Sequence, residues 1–167
     1  MDVRFLDTTF RDGSQSLWAM GIRHGMMEPI AADVDRAGFA HIEVPANPIF
    51  FKKIVRDLKE DPWATMKMLA EKIPETPKAS MGAGFNINPL GTPNPPQIGR
   101  LFWSHLFKIG ALQRIQMIGN TMDQLSRDFP RVIPELKEIG MEVAIALSYS
   151  ISPRHTDEHY ARKTRES

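Results

Sequence analysis

Five short stretches recur along the chain at intervals of about thirty residues: 3–7, 40–44, 78–81, 113–118 and 142–147. Each reads as a strand, and the last, Glu142 to Leu147, has the composition of a strand buried on both faces. Helical spacing fills the gaps. Met26, Met27, Ile30, Ala31 and Val34 recur at three and four residues within 25–37, and Gly38 is placed to stop that helix. Phe50, Phe51, Ile54, Val55 and Leu58 mark a second helix over 48–59. Asp61-Pro62 starts a third, with Trp63, Met66, Leu69 and Ala70 facing inward. Helices are also expected over 101–109, from Thr121 or Met122 to about Ile139, and from Asp157 onward. Pro130 and Pro134 should break or restart the second of these near Phe129. The glycine- and proline-rich stretch 82–99 reads as a long loop. Strand and helix alternating at this spacing define a parallel α/β protein, because parallel neighbours need a crossover between them. Five such units suit a small doubly wound sheet or the first part of an eight-stranded barrel, and periodicity does not separate the two.

Composition narrows the chemistry. The chain of 167 residues has a formal net charge of +1, with acidic and basic residues mixed along it. That gives neither nucleic acid nor a charged membrane surface a footing. No apolar run is long enough to span a bilayer. There is no cysteine, so disulfides and thiolate ligands are excluded and a metal would rest on Asp, Glu, His or a modified Lys. The absence of thiols is compatible with a reducing compartment, and a cytoplasmic location is expected. The ten methionines read first as core filler.

The chemistry-bearing stretch is Leu6-Asp7-Thr8-Thr9-Phe10-Arg11-Asp12-Gly13-Ser14-Gln15-Ser16-Leu17, at the exit of the first strand. Asp12 can ligate a divalent metal, Arg11 offers a fixed fork of donors to an anionic oxygen, and Gly13 lets the chain turn after the pair. An adjacent Arg-Asp pair, taken alone, is more often a surface ion pair. The whole string resembles the signature of the metal-dependent barrel enzymes. These include the carboxyltransferase domains of pyruvate carboxylase, oxaloacetate decarboxylase and transcarboxylase, together with isopropylmalate synthase and hydroxymethylglutaryl-CoA lyase. Phe10, Gln15-Ser16-Leu17 and Ala19 resemble the biotin-dependent branch, whereas Gly13-Ser14 is closer to the synthase branch. Further likeness lies in Glu60-Asp61-Pro62-Trp63, in Gly38-Phe39 with Ile42-Glu43-Val44, and in Leu147-Ser148-Tyr149 with Ser152-Pro153 and His155-Thr156.

The resemblance implies the first five βα units of a TIM (β/α)8 barrel, incomplete in this chain, with residues 1–167 forming one domain. A full barrel takes about 250 residues, so an N-terminal portion is expected. It implies Asp12 as a ligand to a divalent metal (Zn, Mn or Co), Arg11 as the group that steadies an enolate, and Gln15 beside substrate or carboxybiotin. Glu43, at the exit of the second strand, either orients Arg11 near the substrate or is a strand-end charge. His155 would sit on a loop at the barrel mouth, and Asp7 is expected to be a structural hydrogen-bond acceptor. The implied partners are a small carbonyl substrate, a biotin carrier domain supplying carboxybiotin, and further copies in a homo-oligomer. The implied reaction forms or breaks a carbon–carbon bond next to a carbonyl. An aldolase- or lyase-type relative without biotin, and a non-catalytic scaffold domain, are the alternatives.

The family takes its other metal ligands, a lysine and a His-x-His pair, from later strands, so this chain alone is expected to be a poor enzyme. Two departures bear on substrate. Ala83 falls where pyruvate-using relatives carry an arginine, and Ile118-Gly119-Asn120-Thr121-Met122-Asp123 replaces the family's Phe-Asp-Ala-Leu-Asn-Asp. Arg100 or Arg154 is a conceivable replacement charge. His155 and His159 have helical spacing but lack the glutamate of the zincin motif. His24, His41 and His105 have no partner pattern and read as structural.

Overall fold

Two helix starts show how directly the sequence sets local structure. Asn47 caps one: its side chain accepts a hydrogen bond from the Phe50 amide at 3.0 Å, and Pro48 follows at the first helical position. Asp61 caps another in the same way, accepting from the Trp63 amide at 2.8 Å ahead of Pro62. The computed structural model describes residues 3–82, 96–119 and 129–147. In chain order these form β1 (Leu6–Asp7), a π-helical turn (Thr9–Gly13), α1 (Ser14–Trp18), α2 (His24–Arg36), β2 (His41–Glu43), α3 (Pro48–Lys53) running into a second π-helical turn (Ile54–Leu58), α4 (Pro62–Lys72), β3 (Lys78–Gly82), α5 (Pro96–Lys108), β4 (Arg114–Gly119), α6 (Phe129–Ile139) and β5 (Glu142–Leu147).

The strands make one parallel sheet in the order β1-β2-β3-β4-β5. Registered residues share a face, and the two faces differ in chemistry. Ile42, Val44, Ile115 and Met117 are buried in one cluster with Met27 and Ala31 of α2, Met66 and Leu69 of α4, Leu106 of α5 and Leu136 of α6. The helices therefore cover this face. The other face carries Glu43, Ala79, Arg114 and Glu142, aligned across four strands. A parallel sheet with helices on one face and charged residues on the other is the layout of a barrel wall and its lumen.

Several expected elements come out differently. The first strand shrinks to two residues, because Val3 and Phe5 stand 62% and 70% exposed with nothing to bury them. The expected turn after it winds into the π-helical turn and α1, which ends in two successive left-handed residues, Ala19 and Met20. On α2 the buried side is Met27, Ala31 and Asp35, while Met26 and Ile30 are exposed. Asp35 turns inward because it anchors the loop before β3, accepting from the Thr76 amide at 2.8 Å and the Glu75 amide at 3.3 Å. The helix expected at 101 begins earlier, at Pro96, and α6 is described from Phe129. Residues 120–128 and the last helix, expected from Asp157, lie outside the described residues. No described helix is long and apolar enough to cross a membrane.

Candidate active site

The π-helical turn after β1 folds back over the C-terminal end of β2. It closes on Thr8, whose carbonyl accepts from the amides of Arg11 and Gly13 at 3.2 and 3.0 Å. The wider winding of a π-turn sets successive side chains at unusual angles and is often found at functional sites. Here it buries Phe10 completely and drives Arg11 inward, where its side chain keeps 7% of its exposure.

Two carboxylates hold the Arg11 guanidinium. Nη2 lies 2.7 Å from Oε2 of Glu43, which is fully buried. Nη1 donates to Oδ1 of Asp12 at 2.8 Å, and Asp12 is 52% exposed. The Glu43 contact is an ion pair outside hydrogen-bond alignment, and Glu43 Oε1 has no hydrogen-bond partner at all. Nε of Arg11 is likewise buried and unpartnered. Burial pushes the Glu43 carboxyl above its ordinary pKa. Arg11 opposes this, but Asp12 and Asp7 add their own repulsion. The site is thus one guanidinium among three acidic side chains, one of them shifted toward its neutral form.

Asp7 behaves as the structural acceptor the sequence suggested, taking hydrogen bonds from Thr9 through N at 3.1 Å and Oγ1 at 2.8 Å. Its charge nevertheless reaches Glu43. Glu43 is fully buried against Arg11 and is not a charge in solvent. Gln15 sits on α1, exposed, one turn beyond the Arg11–Asp12 pair. His155, His159, Arg154, Ala83 and 120–123 lie outside the described residues. Arg100 is no replacement charge for the site, since it is tied to Glu135 and Glu138 at 2.9 and 2.8 Å on the helical layer.

A cluster the sequence did not single out lies lower on the charged face. Arg114 Nη1 reaches the His41 ring at 3.2 Å and Glu142 at 3.4 Å, and His41 Nε2 lies 3.4 Å from Glu142. The strand register that brings these residues together is not visible in local spacing. His41, which has no partner pattern in the sequence, thus lies against two charged side chains.

Whether these residues suit a divalent metal follows from the donor set. Among the described residues no three His, Asp or Glu side chains are grouped to hold one. Asp12 is the open carboxylate, and one of its oxygens is already on Arg11. Sites for such metals use three or four protein ligands, so the described residues do not form a metal site by themselves.

Charged side chains gathered at the C-terminal ends of parallel strands define the class: part of an α/β barrel with its polar centre at the strand ends. No family model matches the chain. Its sequence is 35% identical over 160 residues to a subunit of the pyruvate carboxylase of Methanocaldococcus jannaschii, covering 95% of this chain and 27% of that protein. It is 28% identical over 156 residues to the 2-oxoglutarate carboxylase large subunit of Hydrogenobacter thermophilus, covering 92% of this chain and 23% of that one. Its fold matches the carboxyl transferase domain of Rhizobium etli pyruvate carboxylase with a TM-score of 0.77 at 22% identity, covering 98% of this chain and 28% of that one. The homologues are thus subunits of pyruvate carboxylase and 2-oxoglutarate carboxylase, and the fold is that of part of a carboxyltransferase TIM barrel. The chain spans about a quarter of the length of the relatives it matches.

Proposed function

We propose that residues 1–167 form one domain, the part of a biotin-dependent carboxyltransferase that carries the enolate-binding arginine. The buried Arg11–Glu43 pair at 2.7 Å carries this reading. Glu43 fixes the guanidinium where two adjacent strands end, and Arg11 keeps Nε free to meet an oxygen that gains charge. A guanidinium fixed before substrate arrives stabilises an enolate without reorganising during the reaction. Removing a proton next to a carbonyl gives that enolate; its carbon then takes the carboxyl group from carboxybiotin on a carrier domain as the biotin N–C bond breaks, and the biotin nitrogen ends with the proton. Gln15, exposed beside the pair, is suited to positioning substrate or biotin, and we assign His155 to the same mouth. Asp12 is the ligand this segment contributes toward a divalent metal, whose remaining ligands would come from outside the described residues.

The substrate class is a small 2-oxo acid. The relatives include a pyruvate and a 2-oxoglutarate carboxylase, and Ala83 in place of the family's arginine argues against assuming pyruvate. Ligand-observed NMR with pyruvate, 2-oxoglutarate, oxaloacetate and biocytin tests the reading on the whole chain. At least one oxo acid is expected to bind to the wild type and to weaken about tenfold or more in Arg11→Gln, the loss of a charge-assisted contact. Oxo-acid binding indifferent to that substitution, or no oxo-acid binding, contradicts the assignment.

A further inference from the structure

The connection from β1 to α2, residues 8–23, carries Arg11 near its start and ends on Arg23. The connection from β2 to α4, residues 44–61, leaves from Glu43 and has Glu60 near its end. Arg11 pairs with Glu43, and Arg23 pairs with Glu60, Nη1 to Oε1 at 3.0 Å. The same Arg23 nitrogen donates to the Leu58 carbonyl at 3.1 Å. The two connections are thus tied to each other near both ends. An exposed ion pair alone contributes little, and Arg23 is half exposed. Glu60 has a second part, however. Arg23 is the N-cap of α2, and its side chain has no acceptor to offer the first amides of the helix. Glu60 supplies one from 36 residues on, its Oε2 accepting from the His24 amide at 3.1 Å. A carboxylate there also meets the positive end of the helix dipole. Glu60 is itself fixed, because its amide donates to the Ile54 carbonyl at 3.2 Å across the second π-helical turn. Asp61 and Pro62, which start α4, do not share this task.

From Arg23 the constraint runs back to the site through short contacts. The Ile22 amide donates to the buried Ser14 Oγ at 3.3 Å, and the Met20 amide donates to the Ser14 carbonyl at 2.9 Å. Ser14 directly follows the π-helical turn that carries Arg11 and Asp12, and it precedes Gln15. We infer that Glu60 is a positioning residue: by capping α2 and holding Arg23, it fixes the far end of the segment that presents Arg11, Asp12 and Gln15. The inference rests on the proposal that Arg11 meets a substrate oxygen, and it gives Glu60 no contact with substrate.

The test is ¹⁵N–¹H NMR of the whole chain without ligand, on wild type, Glu60→Ala, Glu60→Gln, Asp61→Ala and Arg23→Ala. In Glu60→Ala the Arg11 Nε resonance is expected to shift. The Met20 and Ile22 amides should exchange about fivefold faster, the loss of one helix cap, while the amides of β4 keep their rates. Glu60→Gln, whose amide oxygen can still accept from His24, should restore most of that protection. Asp61→Ala removes the cap of α4 and should leave the Arg11 resonance in place, which separates positioning by Glu60 from a general loosening of the stretch. An unmoved Arg11 resonance in Glu60→Ala overturns the inference. So does an equal movement in Asp61→Ala, or exchange that is faster throughout the sheet. If Glu60→Ala does not fold, Arg23→Ala decides. It removes the ion pair and leaves Glu60 on the His24 amide, so a smaller change of the same sign supports the inference and no change overturns it. These readouts need neither oxo acid nor turnover. They can fail while oxo-acid binding still depends on Arg11, and they can succeed where that dependence is absent.

Discussion

Arg11 is clamped by two carboxylates, and its neighbours in sequence and in space play different parts. Asp12 is adjacent in the chain but half exposed, whereas Glu43 comes from the next strand and is fully buried. Removing one partner of a buried ion pair leaves the other uncompensated, at a cost of about 3–5 kcal/mol. Glu43→Ala leaves Arg11 to the half-exposed Asp12 alone and should lose at most that much in urea unfolding, and Glu43→Gln, whose amide oxygen can still face Arg11, clearly less. The pH dependence has a definite sign. Burial raises Glu43's pKa in the folded chain, so its contribution is fully present below the ordinary glutamate value and is lost as pH rises through the raised one. Asp35 runs the other way. Burial pushes its carboxyl up, but the hydrogen bonds from Thr76 and Glu75 and the charge of Lys78 bring it below its ordinary value. Its contribution is present above the ordinary aspartate pKa and lost as pH falls through the lowered one. Unfolding of Glu43→Gln and Asp35→Asn across pH 3 to 8 (a range set by the ordinary carboxylate values) should remove each slope separately. Arg11, Asp12 and Glu43 were all legible as candidates in the sequence. Which carboxylate is buried was not, because the π-helical winding of Thr9–Gly13 sets it and no local spacing encodes that winding.

At the scale of elements, the stop signals carried most of the information. Gly38 ends α2 with φ of 81° and nothing within 4 Å of a would-be Cβ, so Gly38→Ala should cost only the left-handed backbone penalty, about 1–2 kcal/mol. Lys59 adopts the same region at φ 58° with a side chain in place. Lys59→Gly should therefore gain about 0.5–1 kcal/mol, the strain relieved less the entropy glycine adds to the unfolded chain. Thermal unfolding of the two variants gives shifts of opposite sign if the backbone account is right. Helix faces were read less well than helix ends. The three-and-four spacing in α2 singled out Met26, Met27, Ile30, Ala31 and Val34; Met27, Ala31 and Val34 pack on the core, but Met26 and Ile30 are exposed and Asp35 is covered in their stead. An inward aspartate that serves a loop forty residues away leaves no mark on local hydrophobic spacing.

For the whole molecule, the alternation of strands and helices was enough to give a parallel sheet, and the chain-order arrangement of its strands came from the structure. The alternation was not enough to choose a barrel over a doubly wound sheet. The likeness to carboxyltransferase domains makes that choice, because closure depends on units that lie beyond a five-stranded sheet. The two-residue β1 sits at one edge, while β3 and β4 are flanked on both sides. Hydrogen exchange should accordingly be slowest in β3 and β4 and fastest in β1; protection of β1 equal to β3 would mean that its edge is covered in solution. The central claim is that Glu43 holds Arg11 ready for an enolate oxygen. The direct measurement is the ¹⁵N–¹H resonance of Arg11 Nε, assigned by its loss in Arg11→Lys and followed during titration with oxalate, a planar mimic of an enolised 2-oxo acid. The account predicts a saturable shift of that resonance in the wild type, reduced in Glu43→Gln. An Arg11 resonance that stays still while those of exposed arginines such as Arg36 and Arg56 move would contradict it.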